Sequence, residues 1–337
     1  MAPAAAAAAM LLFRGHNSKR ALAFATMAAL VLCASGFVAL TGDGLTRAYA
    51  LGGWPAPYGI VLVLDRTAAL MLALTSLVAT AALAAAWRID QDREHFHALV
   101  LFLVTGLNSA FLAGDLFNLF VCFEILLLAS YALLAHGGHH GVHRAALAYV
   151  TLNLVGSAVF LVALALLYGA VGTLNLADMA HVMAQLPQDQ QAPVRTALAL
   201  LAGVFLLKAA AFPLSFWLPH AYASAAAPVA ALFAIMTKVG VYALMRVGGV
   251  LPRELMADTF KAWLPSLAIA TMLVGALGIL ATRRFSDLTA NLVLVSSGAL
   301  LGAIAVGSPA ATAGALAYLP HTTLMTAALF IMSGLAS

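Results

Sequence analysis

Long apolar runs, separated by short polar segments, recur along the whole chain. A helix that crosses a bilayer needs about 20 predominantly apolar residues, because each residue advances the helix by only about 1.5 Å. The runs predict ten complete transmembrane helices, and the shorter apolar stretch 1–13 predicts the end of another. The complete helices are predicted at 21–40, 60–87, 96–114, 116–136, 145–169, 196–218, 228–247, 263–282, 288–306 and 311–335.

The composition agrees with a chain whose solvent is lipid. Hydrophobic residues make up 64% of the 337 residues and charged residues only 8%, whereas a soluble domain carries about 25% charged residues. The apolar runs are continuous, which favours helices over the alternating strands of a membrane barrel. They also recur too often for one signal peptide or one anchor. The sequence therefore predicts an all-α, multi-pass transmembrane bundle.

Positive charges in the loops predict the orientation, because Lys and Arg prefer the cytoplasmic side of a membrane. The segment 170–194 contains no Lys or Arg and is predicted to be an external loop. The loops on the opposite, predicted cytoplasmic side hold Arg14, Lys19, Arg20, Arg88, Arg93, Arg144, Arg283 and Arg284. The external loops and their edges hold Arg47, Arg195, Arg246, Arg253 and Lys261.

Several classes of function find no support in the sequence. The net charge of +4 is small and its positive residues are scattered, so we predict no nucleic-acid partner. The sequence has no glycine-rich phosphate loop, CxxC or HExxH motif, so we predict no ATP site, cofactor or metal. Cys33 and Cys122 lie in apolar runs as packing residues. No carboxylate or cysteine joins the histidines of loop 136–144, which we interpret as solvated: His136, His139, His140 and His143.

Three charged residues lie well inside predicted transmembrane helices, away from their ends: Glu124, Lys208 and Lys238. A charge at the centre of a bilayer costs at least about 2.5–3.5 kcal/mol, so three unpaired charges would cost roughly 8–10 kcal/mol. That sum is comparable to the whole stability of a typical domain. These side chains must therefore face the interior of the bundle, pair with one another, or contact water.

Two interpretations of these charges stay open. One is a structural salt bridge between Glu124 and one lysine, but a single carboxylate cannot neutralise two lysines. The other is a proton relay, since burial favours the neutral form of a lysine and so lets it release a proton. Pro213 supports the relay, because proline breaks or kinks a helix and broken helices mark ion sites in transporters. A simple packing kink is the alternative for this proline.

Three further polar residues stand out. His321 lies within a predicted helix and is either a hydrogen-bonded packing residue or a relay element that titrates near neutrality. Asp65 begins another predicted helix, where it either pairs with a neighbouring protein of an assembly or lies at the membrane interface. Asp115 begins a third, where the helix dipole favours an acid.

At the level of longer motifs, the chain resembles a known family. The stretch 114–131, GDLFNLFVCFEILLLASY, resembles the fifth-helix signature of antiporter-like membrane subunits, and is most similar to the D subunits of Mrp-type monovalent cation/proton antiporters. The stretches 208–222, KAAAFPLSFWLPHAY, and 227–247, APVAALFAIMTKVGVYALMRV, resemble its seventh and eighth helices. Segments 49–71 and 321–330 resemble further parts of the proteobacterial Pha type, so the resemblance covers nearly the whole chain.

The resemblance implies a fold of about fourteen helices with two inverted five-helix repeats. This chain is then expected to hold 10–11 helices and to be C-terminally incomplete. It would comprise N-terminal helices at 1–95, a proton-translocating repeat at 96–248 and part of a second repeat at 249–337. The family's fifth-helix glutamate, broken seventh-helix lysine, eighth-helix lysine and eleventh-helix histidine fall on Glu124, Lys208, Lys238 and His321.

The resemblance also implies roles and partners. Lys208 would be the reversibly protonated carrier, Glu124 would tune it, and Lys238 would pass protons towards the second repeat, with His321 beyond. The implied function is exchange of protons for Na⁺ or K⁺ by a hetero-oligomer of Mrp subunits in the bacterial inner membrane. The chain would be part of a secondary transporter and not an enzyme.

Two alternatives to this function stay open. The first is a proton-pumping membrane-arm subunit of an NADH:quinone oxidoreductase, complex I, or of a related hydrogenase. The second is an inactive truncated fragment. Complex I relatives often have Asp where this chain has His220 and His where it has Ser215, and some have a lysine that this chain lacks after Arg284. The first two of these departures favour the Mrp side.

Overall fold

A computed structural model describes residues 1–12, 15–88, 95–136 and 140–335. Within these residues the chain forms one antiparallel hairpin, β1 (Arg47–Ala50) with β2 (Val61–Leu64), and its other named elements are helices joined by loops. The α-helices are α1 (Ala2–Leu12), α2 (His16–Leu40), α3 (Arg66–Ala85), α4 (Phe96–Leu112), α5 (Leu116–Ala135), α6 (His140–Val171), α7 (Leu176–Ala184), α8 (Gln191–Lys208), α9 (Trp217–Ser224), α10 (Ala227–Val250), α11 (Arg253–Ala281), α12 (Phe285–Val306) and α13 (Pro309–Leu335).

The helices confirm a multi-pass membrane protein. In the described part of the chain, nine of them are long and apolar enough to cross a membrane, namely α2, α3, α5, α6, α8, α10, α11, α12 and α13. The apolar helix α4 has 17 residues and packs between α3 and α5. These ten helices match the ten predicted segments, and α1 matches the short stretch 1–13.

The predicted helix 60–87 is wrong at its beginning. Val61–Leu64 form strand β2, which pairs with β1 before the chain enters α3. The alternation of valine and leucine in this stretch suits a strand as well as a helix. Apolar character alone does not separate the two structures when the run is only four residues long.

Two acids begin helices. Asp65 caps α3 by accepting a hydrogen bond from the Ala68 amide at 2.8 Å. Its carboxylate also binds both terminal nitrogens of Arg246 on α10, so its partner lies within this chain. Asp115 caps α5 by accepting from the Asn118 amide at 2.9 Å, as expected for an acid at a helix start. Desolvation raises the pKa of the Asp115 carboxyl.

Two further predicted segments differ from the structure. The predicted helix 196–218 is interrupted, because α8 ends at Lys208 and helical structure resumes only at Trp217. The predicted external loop 170–194 contains the short helix α7 and the first residues of α8. The membrane side of this loop stays a prediction.

Helix α10 lies at the centre of the bundle. Eighteen of its 24 residues are buried, and α3, α8, α12 and α13 pack around it. The outer helices expose large apolar side chains, for example Leu32 on α2 and Leu277 on α11. Such outward-facing apolar surfaces are ordinary in a bilayer, where lipid tails are as apolar as leucine.

Some sequence predictions concern residues outside this description. Arg14, Arg93 and His139 lie outside the described residues, and the side chains of Arg253 and Lys261 do too. The orientation derived from loop charges therefore stays a prediction. Across the described ranges, no group of three or more His, Cys, Asp or Glu side chains could hold a metal ion.

Candidate functional site

Lys208 is the last residue of α8, and its side chain is 5% exposed. The ammonium donates a hydrogen bond to Asn153 Oδ1 on α6 at 3.2 Å. It also lies 5.8 Å from the centre of the Phe123 ring. A small cavity beside it is lined in part by Trp217 and Met236, and it has room for about one water molecule. The hydrogen-bond partner of this buried lysine is therefore a neutral side chain.

Glu124 lies on α5 and is half-buried. Its carboxylate accepts a short hydrogen bond from the hydroxyl of Ser157 on α6. Among the described ion pairs, none joins Glu124 to Lys208 within 4.0 Å. The arrangement thus differs from a direct salt bridge, because each charged group binds its own neutral partner on α6.

One face of α6 supplies both partners. Tyr149, Asn153 and Ser157 follow at intervals of four residues, so they lie above one another on the same face. Asn153 Nδ2 donates to the carbonyl of Tyr149 at 2.9 Å, which leaves Oδ1 turned towards Lys208. The Tyr149 hydroxyl continues the polar row with Ser130 on α5 at 2.8 Å.

The end of α8 is a Schellman-type turn built without glycine. The Ala211 amide donates to Leu206 O at 2.9 Å and the Ala210 amide to Leu207 O at 3.0 Å. Ala210 has φ 54°, in the left-handed region that glycine usually occupies. Lys208 is therefore placed at the C-terminal end of a helix, where the macrodipole favours a positive charge.

Pro213 lies inside the non-helical segment 209–216 and has no amide hydrogen to donate. In a continuous helix that hydrogen would bind the carbonyl of Ala209, four residues earlier. The hydroxyl of Ser297 on α12 donates to Ala209 O instead. The neighbouring Phe212 amide donates to Thr271 Oγ1 on α11 at 2.9 Å. Side chains of two other helices thus satisfy the broken backbone, as expected for irregular backbone at membrane depth.

Lys238, on α10, is fully buried at 0% exposure. Its ammonium donates to Ser296 Oγ on α12 at 2.6 Å, and that hydroxyl donates to Val293 O at 2.8 Å. Like Lys208, it is bound to a neutral group. Two residues further along α10, Gly240 lies directly against the backbone of Lys208 and Ala209.

His321 is not brought together with the other three residues. It lies on an exposed face of α13, with its ring 6.0 Å from the ring of Tyr318. Its predicted role stays a prediction. Three of the four candidate residues, Glu124, Lys208 and Lys238, do lie on neighbouring central helices.

Sequence reasoning missed the neutral residues that hold these charges. Asn153, Ser157, Ser296 and Ser297 are all buried and all bind a charged group or the broken backbone. The spacing of Asn153 and Ser157 on one helical face was a signal available in the sequence. Ser296 and Ser297 are adjacent in the sequence, and only the fold reveals that one binds Lys238 on α10 and the other binds the carbonyl of Ala209 after α8.

Three other buried polar atoms belong to α5, α9 and α10, and one of them is on Trp217, which lines the cavity at Lys208. Tyr131 OH, Trp217 Nε1 and Thr237 Oγ1 have no hydrogen-bond partner among the described residues. The ring of Trp217 stacks on Tyr149, with centroids 5.1 Å apart. Buried polar groups that lack a protein partner are typically satisfied by ordered water. The region around Lys208 is thus chemically suited to hydration.

Comparison with known proteins connects this geometry to a family. Residues 113–337 match the family described as NADH:quinone oxidoreductase/Mrp antiporter, transmembrane. The chain is 45% identical over 331 residues to the D subunit of a probable K(+)/H(+) antiporter of Rhizobium meliloti, a match that covers 95% of this chain and 61% of that protein. It is 37% identical to the D subunit of a Na(+)/H(+) antiporter of Alkalihalophilus pseudofirmus, over 96% of this chain and 66% of that protein.

Solved structures agree with these relatives. The fold is similar to a chain of the Mrp complex from Dietzia sp., with a TM-score of 0.87, 30% identity, and coverage of 97% of this chain and 61% of that chain. It is also similar to a chain of respiratory complex I from Thermus thermophilus, with a TM-score of 0.86, 27% identity, and coverage of 99% and 69%. This chain spans about three fifths of the length of the Rhizobium relative.

Proposed function

Because the chain belongs to the NADH:quinone oxidoreductase/Mrp antiporter family of transmembrane proteins, we propose that it is a proton-conducting subunit of a monovalent cation/proton antiporter, similar to the Mrp D subunits. Its place would be the bacterial inner membrane, in a hetero-oligomer with other Mrp subunits. One observation carries the proposal. Two lysines are buried at membrane depth beside a broken helix, and each binds a neutral side chain instead of a carboxylate.

Neutral partners favour proton transfer over a structural ion pair. A buried lysine locked to a carboxylate has little freedom to give up its proton, because the opposite charge favours the charged form. Asn153 and Ser296 bind the ammonium groups without adding a negative charge. A charged lysine in such an environment is costly. The presence of two such lysines at the centre of the bundle therefore points to a functional requirement.

Each ionisable residue takes a distinct part in the proposed path. Lys208 is the central carrier at the break, and Glu124 on the neighbouring helix α5 tunes it through space. Lys238 passes protons onward along the bundle centre. His321 continues the path on the face of α13 that this chain leaves exposed. In this proposal residues 96–248 form the proton-translocating repeat, after N-terminal helices in 1–95 and before part of a second repeat in 249–337.

The relatives support an antiporter more directly than a redox pump. Both D-subunit relatives are named for exchange of a monovalent cation and protons, and the relative of higher identity is named for K⁺. The complex I chain is similar in fold at lower identity. We therefore propose that protons and Na⁺ or K⁺ are exchanged, and that the chain is part of a transporter and not an enzyme.

The test is antiport in everted membrane vesicles from an antiporter-deficient bacterial strain. The full gene is expressed with its neighbouring subunit genes, and vesicles are energised with ATP, so that electron transfer is not needed. Addition of Na⁺ or K⁺ should release the quenching of a pH-sensitive dye. We expect Glu124→Gln and Lys208→Ala each to reduce this response at least tenfold while the complex still assembles.

Asp189→Asn is the matched control for the glutamate. It also removes one carboxylate charge, but from an exposed turn outside the α-helices. It should leave antiport unchanged. A wild-type complex with no cation-dependent response would overturn the proposed function. A normal response in either Glu124→Gln or Lys208→Ala would overturn the role given to that residue.

A further inference from the structure

We propose that the adjacent serines Ser296 and Ser297 of α12 are positioning residues that couple the two lysines of the proton path. Ser297 holds the end of the helix that carries Lys208, and Ser296 holds the ammonium of Lys238. The inference rests on the proposed function, since it concerns how protons pass between the two lysines. It assigns a role to a helix that follows the predicted first repeat.

Lys208 packs against one face of α10, and Lys238 projects from a different face of that helix. Met236 lines the cavity at Lys208, and Gly240, one turn later, lies against the Lys208 backbone. Lys238 lies two residues from each of them, about 200° around the helix at 3.6 residues per turn. It accordingly points away from Lys208 and towards Ser296. The body of α10 therefore separates the two ammonium groups, and a direct contact between them is not the route.

Helix α12 makes side-chain contacts to both lysine sites through consecutive residues. Ser297 supplies the hydrogen bond to Ala209 O that Pro213 cannot supply, so it fixes the residue that follows Lys208. Ser296 binds Lys238 Nζ directly. Because the two hydroxyls are on neighbouring residues of one rigid helix, a displacement at the break of α8 is transmitted to the partner of Lys238.

The chemistry of the two lysine partners differs. Asn153 presents only its carbonyl oxygen to Lys208, because its amide nitrogen is bound to Tyr149 O. A carbonyl oxygen accepts a hydrogen bond from either protonation state of the amine, but it cannot donate to the lone pair that deprotonation creates. A serine hydroxyl both accepts and donates. Ser296 can therefore accept from the ammonium of Lys238 and, after rotation away from Val293 O, donate to its neutral amine.

This difference suits a carrier that changes protonation state during each cycle. When Lys238 gives its proton to a downstream acceptor, the N–H bond breaks and the amine keeps the electron pair. That lone pair can then accept the hydrogen of the Ser296 hydroxyl. Neither protonation state of Lys238 is left without a partner, which matters because an unpaired buried polar group is costly.

The first experiment measures the contact without relying on transport. Residues 1–337 contain four lysines, Lys19, Lys208, Lys238 and Lys261, and single substitutions can assign their signals in ¹⁵N-lysine NMR of the full complex in nanodiscs, with the label in this protein. In Ser296→Ala, loss of the acceptor should move the titration of the Lys238 signal to lower pH by about one unit or more. Ser297→Ala removes an equal hydroxyl one residue away and should leave that signal in place.

The second experiment measures the antiport rate against pH in the vesicles described above. Ser296→Ala should move the profile in the same direction as the NMR titration, whereas Ser297→Ala should lower the rate at all pH values at least fivefold. Ser76→Ala is a matched control, because Ser76 is buried in α3 and its hydroxyl binds its own helix at Ala73 O. It should change neither measurement.

The outcomes separate the two proposals. An unchanged Lys238 titration in Ser296→Ala overturns the positioning role of that serine. A shifted titration with an unshifted antiport profile overturns the part played by Ser296 in transport. Wild-type antiport in Ser297→Ala overturns the coupling through α12. A shifted titration in a complex that shows no cation-dependent response in any form overturns the proposed function and leaves the contact standing.

Discussion

The close contact between Gly240 and the end of α8 predicts how far the two backbones must separate when a methyl group is added to this glycine. A methyl group added at this position would lie 2.6 Å from the Ala209 amide nitrogen, 2.8 Å from the Lys208 carbonyl carbon and 3.0 Å from Lys208 Cβ. Ordinary van der Waals contact begins near 3.4 Å. The two backbones must therefore separate by about 0.8 Å, because the clash is with main-chain atoms that cannot rotate away.

A displacement of this size is large enough to break the hydrogen bond that holds the Lys208 side chain. The hydrogen bond from Lys208 to Asn153 is already 3.2 Å long, near the upper limit for a hydrogen bond of this kind. A shift of this size at Lys208 would break the hydrogen bond or force the side chain to find another partner. Overpacking of a close helix contact costs typically about 1–3 kcal/mol, which a large bundle can tolerate without unfolding.

We therefore expect Gly240→Ala to lower antiport in everted vesicles at least tenfold, with normal amounts of assembled complex on a native gel. Gly249→Ala is the matched control, because Gly249 lies on the same helix and an added methyl group would meet nothing within 4 Å. It should retain wild-type antiport. Wild-type rates in an assembled Gly240→Ala complex would refute the reasoning that the backbone contact holds Lys208 in its working position.

Two further predictions concern neighbouring contacts. Asn153→Leu keeps a similar side-chain volume but removes the acceptor of Lys208, so we expect the dye response to cations to fall at least tenfold while the amount of complex stays within twofold of wild type. Asp65→Asn keeps an oxygen to cap α3 but removes the charge bound to Arg246. Because hydrogen bonds to charged groups are worth about 1.5–3 kcal/mol, the apparent melting temperature of the complex should fall. The melting temperature of the Asp189→Asn complex should stay unchanged.

Charges were the part of the site that sequence reasoning could find. Glu124, Lys208 and Lys238 each interrupt an apolar run, and the cost of a charge in hydrocarbon makes such an interruption informative. Neutral residues give no comparable signal. Asn153 and Ser296 cost far less to bury, and serine and asparagine occur in many membrane helices as hydrogen-bonding residues. Their part at the site follows only from which helices the fold brings together.

The position of the helix break shows the same limit. Pro213 correctly predicted an interruption, since its ring and missing amide hydrogen are local properties. The helix ends five residues earlier, at Lys208, because Ala210 adopts a left-handed conformation. A glycine there would have marked the helix end in the sequence. An alanine does not, and its conformation depends on tertiary contacts made by helices far along the chain.

Those contacts bear on the proposed division into repeats. The break in α8 lies within 96–248, yet the hydrogen bonds that satisfy it come from Thr271 and Ser297, which lie beyond residue 248. Without these two side chains, the Phe212 amide and the carbonyl of the buried Ala209 would lose these partners, and a buried polar group left unpaired costs about 1–3 kcal/mol. In this proposal, the proton-translocating repeat is therefore not self-sufficient. Lys208, its proposed carrier, would be held in place by the proposed repeat that follows, so the two repeats are expected to change conformation together.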